Sequence, residues 1–298
     1  MSRPIAQDER GMSTLGAFAA LLVILALMFV AYYAFFVPAR TGPVLRIQQG
    51  DAASLDYTGY FEETGLVFDT SDESVAKDNA SWPKAVSFHG MPAGGPWQPN
   101  LRPIEFDIGE GDRRAVPGFE QGLLGLAAGE SRVLTIPFEL AYGPMDPALL
   151  EAKPLQESVP VRTTMSAAEF ESTYGSPPFS GMNVTDPFWH WDAYASVAGT
   201  IVTVTNSPSV GDIVRPYGAW DAQVAAIDDA ANEGEGIIWV SHRLADADEH
   251  RVGGKHEGRA FYLSDVDPAA ETYTLNFNRE VVGRTLVFIV KIVSVSRT

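Results

Sequence analysis

The chain has 298 residues, no cysteine, and 21 Lys and Arg against 38 Asp and Glu, giving a formal net charge of −17. These numbers exclude a disulfide framework, a thiolate metal site and a cysteine nucleophile. They also argue against a nucleic-acid binder, which needs clustered cations. With 46% hydrophobic residues the chain can build a core, and its length suits two compact units or one domain with a large insertion.

Residues 1–14 read as an N-terminal tail. Leu15 to Val37 then supplies 23 residues without a charge. At 1.5 Å per residue such a helix is about 34 Å long, enough to cross a hydrocarbon core of about 30 Å with some tilt. Tyr32 and Tyr33, near its end, suit the membrane interface. A cleaved signal peptide would have an apolar stretch of about 7–15 residues and a small-x-small cleavage site. This run is longer and ends Phe-Phe-Val-Pro-Ala-Arg. The expectation is a single-pass membrane protein held in the lipid bilayer through residues 15–37. Arginines flank the run almost evenly, with Arg3 and Arg10 before it and Arg40 and Arg46 after it. A short tail stays in the cytoplasm easily while a long domain is translocated, so the large domain is expected outside the cytoplasm. Two sequons, Asn79-Ala-Ser81 and Asn183-Val-Thr185, fit an exported domain.

Residues 38–47, with two prolines and a glycine, read as a linker. Alternating large residues predict a strand over Ser54–Phe61, and an apolar segment follows over Gly65–Ser71. Asp72–Arg102 is polar and rich in Gly and Pro, and reads as an extended loop. A strand is expected over Ile104–Ile108, a helix over Gly118–Leu126 from the spacing of Phe119, Leu123 and Leu126, and a strand over Arg132–Phe138. The composition changes between Pro144 and Glu271. Here 20 acidic and 7 basic residues carry 13 of the 17 excess negative charges, and four of the six tryptophans are found. Ser166 as N-cap, with Glu169 at the capping-box position, predicts a helix to Tyr174. Strands are expected over Ser196–Thr205, Gln223–Ile227, Gly236–Ser241 and Thr272–Phe277, and a last one over Arg284–Val295. No internal repeat is evident. This stretch has enough apolar residues to fold as a mostly-β domain of its own.

Most enzyme templates are absent: there is no G-x-x-x-x-G-K-[ST], H-E-x-x-H or G-x-S-x-G. His250 and His256 lie in a charged stretch. A metal site is one reading and a solvated loop the other, and the spacing matches no established ligand pattern. The aromatic run Pro187–Trp191 reads either as core or as a surface for a partner.

One ordered set of short motifs stands out. Asp56-Tyr-Thr-Gly59 precedes Val67-Phe-Asp-Thr-Ser71, Phe106-Asp-Ile-Gly109, Val116-Pro-Gly-Phe-Glu120 and Gly122-Leu-Leu-Gly-Leu126. Gly129-Glu-Ser-Arg132, Ile136-Pro137, Ala141-Tyr-Gly143 and, much later, Thr285-Leu-Val-Phe288 complete it. The set resembles the FKBP family of peptidyl-prolyl cis/trans isomerases over about Gly50–Gly143 and Thr274–Val295. The resemblance extends to family members that carry a separate domain inserted in the flap. Tyr142-Gly-Pro-Met-Asp-Pro147 is similar to their entry and Asn276-Phe-Asn278 to their return. It implies an α+β fold: a twisted antiparallel sheet wrapped on a short helix, with a large mostly-β insert. The implied boundaries are 48–143 for the first part of the catalytic domain, 144–273 for the insert and 274–298 for the last strands.

By this resemblance Phe68, Phe119 and Phe288 form the walls and floor for a prolyl ring. The Val116 N–H and the Tyr142 hydroxyl hold substrate carbonyls, and Tyr57 and Asp69 stand at one side. Ile104 and Ala115 complete the substrate contacts, Ile104 where many members have an aromatic. The implied activity is prolyl isomerisation of unfolded or nascent polypeptides, with client binding by the insert and no cofactor, metal or nucleic acid. A non-catalytic chaperone or scaffold on the same fold is the competing reading.

Overall fold

The computed structural model describes Met28 and residues 44–88, 101–109 and 116–297, with only the backbone of Phe106. The predicted membrane helix at 15–37 lies, Met28 aside, outside the described residues. Among those residues no helix is long and apolar enough to cross a membrane.

The first sheet is antiparallel. It is built from β1 (Asp51–Phe61), β2 (Val67–Thr70), β3 (Ile104–Asp107), β4 (Ser131–Ile136) and the chain's last strand, β17 (Leu286–Arg297). β17 lies between β1 and β4, while β2 and β3 share the other edge of β1. Strand periodicity puts Leu286, Phe288, Val290 and Ile292 on one face, and all four are buried in one core with Leu55 and Phe61 of β1. A short helix, α1 (Glu73–Lys77), sits in the segment read as loop, with Asp72 as its N-cap.

The helix α2 (Pro117–Leu123) packs on β4. Pro117 occupies its first turn, where a missing N–H costs nothing. Gly118 and Gly122 let it approach closely: a Cβ on Gly118 would lie 2.4 Å from Ile136 Cγ2, and one on Gly122 2.6 Å from Leu134 Cδ2. Phe119 and Leu123 thereby reach the same core.

The chain between β4 and β17 forms three further four-stranded antiparallel sheets. Its strands are β5 (Leu150–Pro154), β6 (Gln156–Pro160), β7 (Arg162–Ser166), β8 (Met182–Thr185), β9 (Asp192–Ala198) and β10 (Ile201–Asn206). After them come β11 (Ile213–Val214), β12 (Ala222–Asp228), β13 (Ile237–His242), β14 (Gly253–His256), β15 (Arg259–Asp267) and β16 (Thr272–Asn276). The sheet orders are β7-β10-β9-β8, β6-β13-β12-β11 and β5-β16-β15-β14. Each is a three-stranded meander whose last strand pairs with one of the three leading strands, taken in reverse order. A threefold structural repeat is therefore present where none was expected.

A buried polar residue ends the last strand of each meander. Trp191 Nε1 donates to Asn206 Oδ1 at 3.0 Å and Trp220 Nε1 to His242 Nδ1 at 3.0 Å. In the third sheet Asn276 Nδ2 donates to the Tyr262 hydroxyl at 2.8 Å. The Trp220 donor makes His242 Nδ1 an acceptor, which leaves Nε2 to face Glu157 Oε1 at 3.2 Å. The helix α3 (Ala167–Tyr174) has the predicted capping box of Ser166 and Glu169 and covers the first of these sheets with Phe170. Trp189 and Trp191 stack 5.2 Å apart in the core, which supports the core reading of the aromatic run. Among the described residues no group of three metal-binding side chains occurs.

Thr274, assigned from sequence to the catalytic part, lies in β16 and pairs with Ala152 and Asp265. The return to the first sheet thus begins only after Asn276. One contact joins a middle sheet, through β14, to the segment after α1, and others hold the returning chain before β17. Val86 packs where a Cβ on Gly253 would sit, and Ser87 N–H donates to Glu280 Oε2 at 2.7 Å. Buried Arg284 pairs with Glu63 and with Glu280.

His250 faces this junction, with its Nδ1 buried and unpartnered among the described residues. Burial pushes its pKa down to about 4, the Arg284 charge adds to the fall, and Glu63 opposes it. A base held below its unfolded pKa of about 6.5 contributes stability above that value and loses it as pH falls toward 4. His250 has φ 56°, which Asn tolerates well. His250→Asn should therefore show a smaller drop in melting temperature between pH 7 and 4.5 than the parent. Identical slopes would refute this role.

Candidate active site

Between β1, β2, β17 and α2 four aromatic rings converge. Phe119 meets Phe288 with centroids 4.9 Å apart, Phe288 meets Phe68 at 5.5 Å edge-on, and Tyr57 lies 6.5 Å from Phe119 and 6.3 Å from Phe288. Phe61 extends the cluster from beneath, 4.9 Å from Phe68. Gly59 makes this convergence possible. It pairs with Phe288 across the β1–β17 ladder, and a Cβ there would fall 2.6 Å from Phe68 Cζ and 2.8 Å from Phe288 Cε1.

One polar pair stands among the rings. The Tyr57 hydroxyl donates to Asp69 Oδ2 at 2.7 Å. Burial raises the Tyr57 pKa well above its ordinary value, and the Asp69 charge and hydrogen bond add to the rise. Tyr57 is therefore a neutral donor across physiological pH. The Tyr142 hydroxyl adds the smallest electrostatic contribution to the same rise, which puts it in the neighbourhood of the Tyr57 hydroxyl. Tyr142 follows the turn after β4, remains 40% exposed, and carries the Arg279 guanidinium 5.0 Å from its ring centroid.

Val116 is the N-cap of α2 and packs against the core. Its carbonyl accepts from the Phe119 amide, while its own N–H has no acceptor among the described residues. Ile104 pairs with Leu55 at the start of β3 and packs against the same core. The structure thus brings Tyr57, Phe68, Asp69, Phe119 and Phe288 into one cluster, with Val116, Ile104 and Tyr142 around it. Ala115 lies outside the described residues.

Sequence reasoning missed Arg279, Glu280 and Arg284. Only the density of hydrogen-bonding side chains from Asn276 to Arg284, unusual before a buried strand, hinted at them.

An antiparallel sheet packed on one short helix, with an aromatic cluster between them, is the arrangement the motifs implied. Residues 45–171 match the family model of FKBP-type peptidyl-prolyl cis-trans isomerases. It is similar to FK506-binding protein 2 of Yarrowia lipolytica, 37% identical over 33% of this chain and 48% of that one. It is also similar to the short-type peptidyl-prolyl cis-trans isomerase of Methanocaldococcus jannaschii, 33% identical over 36% of this chain and 58% of the other. FK506-binding protein 3 of Dictyostelium discoideum is 28% identical over 52% of this chain and 62% of its own. The chain spans about half the length of the first two relatives.

Proposed function

We propose that the protein is a peptidyl-prolyl cis/trans isomerase acting on proline-containing unfolded or nascent polypeptides. The observation that carries this reading is the convergence of Tyr57, Phe68, Phe119 and Phe288 around the Tyr57–Asp69 pair, on residues supplied by the family motifs. Amide resonance sets a rotation barrier of about 18–20 kcal/mol. Twisting the bond returns the lone pair to nitrogen and reduces charge separation. A dry aromatic cradle therefore favours the twisted amide over the planar one. In this reading the Val116 N–H and the Tyr142 hydroxyl hold the flanking carbonyls, Asp69 faces the twisting bond, and no nucleophile or cofactor is called on.

Residues 144–273 are read as an insert in the flap that contacts non-native chains through aromatic rather than charged side chains. Exposed Phe179 and Tyr194 support this. Residues 15–37 are read as a bilayer anchor with the large domain outside the cytoplasm, supported by their 23 uncharged residues. Loss of protease accessibility of the large domain in intact cells would refute that orientation.

A proline-limited refolding assay tests the activity. The protein should accelerate the slow phase, and Tyr142→Phe or Asp69→Ala should slow catalysis about two- to tenfold, as expected for one oriented hydrogen bond. No acceleration at any concentration favours the scaffold reading instead. Replacing 144–273 by a short loop should spare short peptides and reduce activity on unfolded protein. Equal losses on both would remove the client-binding role.

A further inference from the structure

We propose that Arg279 is a specificity-determining residue of the prolyl site. It positions the Tyr142 ring and selects segments that carry a carboxylate beside the prolyl bond. This rests on the isomerase reading above.

The cation sits where it does by construction. Its neighbours on both sides are buried and bonded. Asn278 Oδ1 accepts from the Asp146 amide at 3.0 Å, and Asn278 Nδ2 donates to the Asp146 carbonyl at 3.0 Å. Glu280 accepts from the Ser87 amide. Gly283 N–H donates to the Gly143 carbonyl at 2.8 Å, which ties the same loop to the residue after Tyr142. Between these clamps the Arg279 side chain alone turns outward, over the Tyr142 ring.

Arg279 has no carboxylate partner among the described residues, as is also true of Arg102, Arg132, Arg162, Arg243, Arg251 and Arg259; what sets it apart is its place over the Tyr142 ring. In a chain with 38 acidic residues, a cation held over the Tyr142 ring without a carboxylate partner among the described residues is available to a ligand. A guanidinium lying on a ring face keeps its N–H edges free, and those edges match a carboxylate. The favoured substrates are therefore acidic proline-containing segments. The overall negative charge of the protein repels such chains at long range, so discrimination comes from this local contact.

The test uses the full chain and three peptide substrates with a Leu-Pro core, carrying Glu, Gln or Lys next to that core on either side. At low ionic strength kcat/KM for the Glu peptide should exceed that for the Lys peptide about two- to fivefold, the range of an exposed ion pair, mostly through KM. High salt should shrink the ratio. Arg279→Gln should bring it to one or below, because the long-range repulsion then acts alone, and Arg279→Lys should retain part of it. A merely structural role would lower all three peptides alike and leave the ratio unchanged. A wild-type ratio that survives Arg279→Gln overturns the inference. Failure of the wild type to isomerise any of the three overturns the isomerase reading as well, and the Gln peptide separates the two results.

Discussion

Replacing Gly59 with alanine is expected to lower kcat/KM for prolyl isomerisation about tenfold and to reduce stability by about 1–3 kcal/mol, the usual cost of overpacking a core. The added methyl would lie 2.6 Å from Phe68 Cζ and 2.8 Å from Phe288 Cε1. Neither ring can simply retreat. Phe68 is backed by Phe61 and Phe288 by Phe119, each at 4.9 Å between centroids. A displacement of several tenths of an ångström is therefore passed into the walls of the cleft, where packing is dense and strain is transmitted. Gly59 lies within β1 and has no positive φ, so alanine suits its backbone. The effect isolates side-chain space from conformational freedom. Steady-state kinetics well below the melting temperature, together with urea denaturation, would measure both losses. Unchanged kinetics in a folded variant would show that the rings do not form the catalytic surface.

The aromatic cluster was named from the sequence only through the resemblance carried by the ordered motifs, since no local signal shows that Tyr57, Phe68, Phe119 and Phe288 meet. The helix α3 was legible locally, since a capping box is read within four residues. In the middle sheets β12, β13 and β16 were legible close to their expected bounds, but the leading strands and the pairing were not. β5 includes Glu151, Lys153 and Pro154, and its ordering comes from pairing with β16, more than a hundred residues later. The run Ser196–Thr205 looked like one strand, but Gly199, with φ 63°, turns it into the β9–β10 hairpin. Unequal connections hide the threefold repeat: two residues separate β9 from β10, eight separate β12 from β13 and four separate β15 from β16. A Trp-Asp-Ala recurs at Trp191–Ala193 and Trp220–Ala222, but the third copy lacks it. Arg279 was missed because the density of polar side chains from Asn276 to Arg284 does not show which of them turns outward. Its position depends on Asn278, Glu280 and the segments they bind.

Replacing Arg284 with methionine is expected to destabilise the protein by about 3–5 kcal/mol, the cost of stranding one member of a buried ion pair. The Arg284 side chain is 5% exposed and that of Glu280 is 1% exposed. Arg284 also pairs with Glu63, donates to Thr64 Oγ1 at 3.3 Å, and lies 3.5 Å over the Phe61 ring. Methionine can fill part of the space over that ring but cannot compensate a carboxylate. Burial already raises the Glu280 pKa, while the Ser87 donors and Arg284 hold it back. Without Arg284 the pKa rises further. An acid whose folded pKa lies above its unfolded value costs stability as pH climbs through that interval, and the cost disappears when both states are protonated. The deficit of Arg284→Met should therefore be largest near pH 7 and shrink toward pH 4. Adding Glu280→Gln should restore part of the loss at pH 7, because it removes the stranded charge. A deficit independent of pH, or a double variant that loses the sum of both single losses, would show that Arg284 acts through packing on Phe61 alone. Since Phe61 packs on Phe68, that outcome would make Arg284 a support of the cleft rather than the lock between the first sheet and the segment that returns to it.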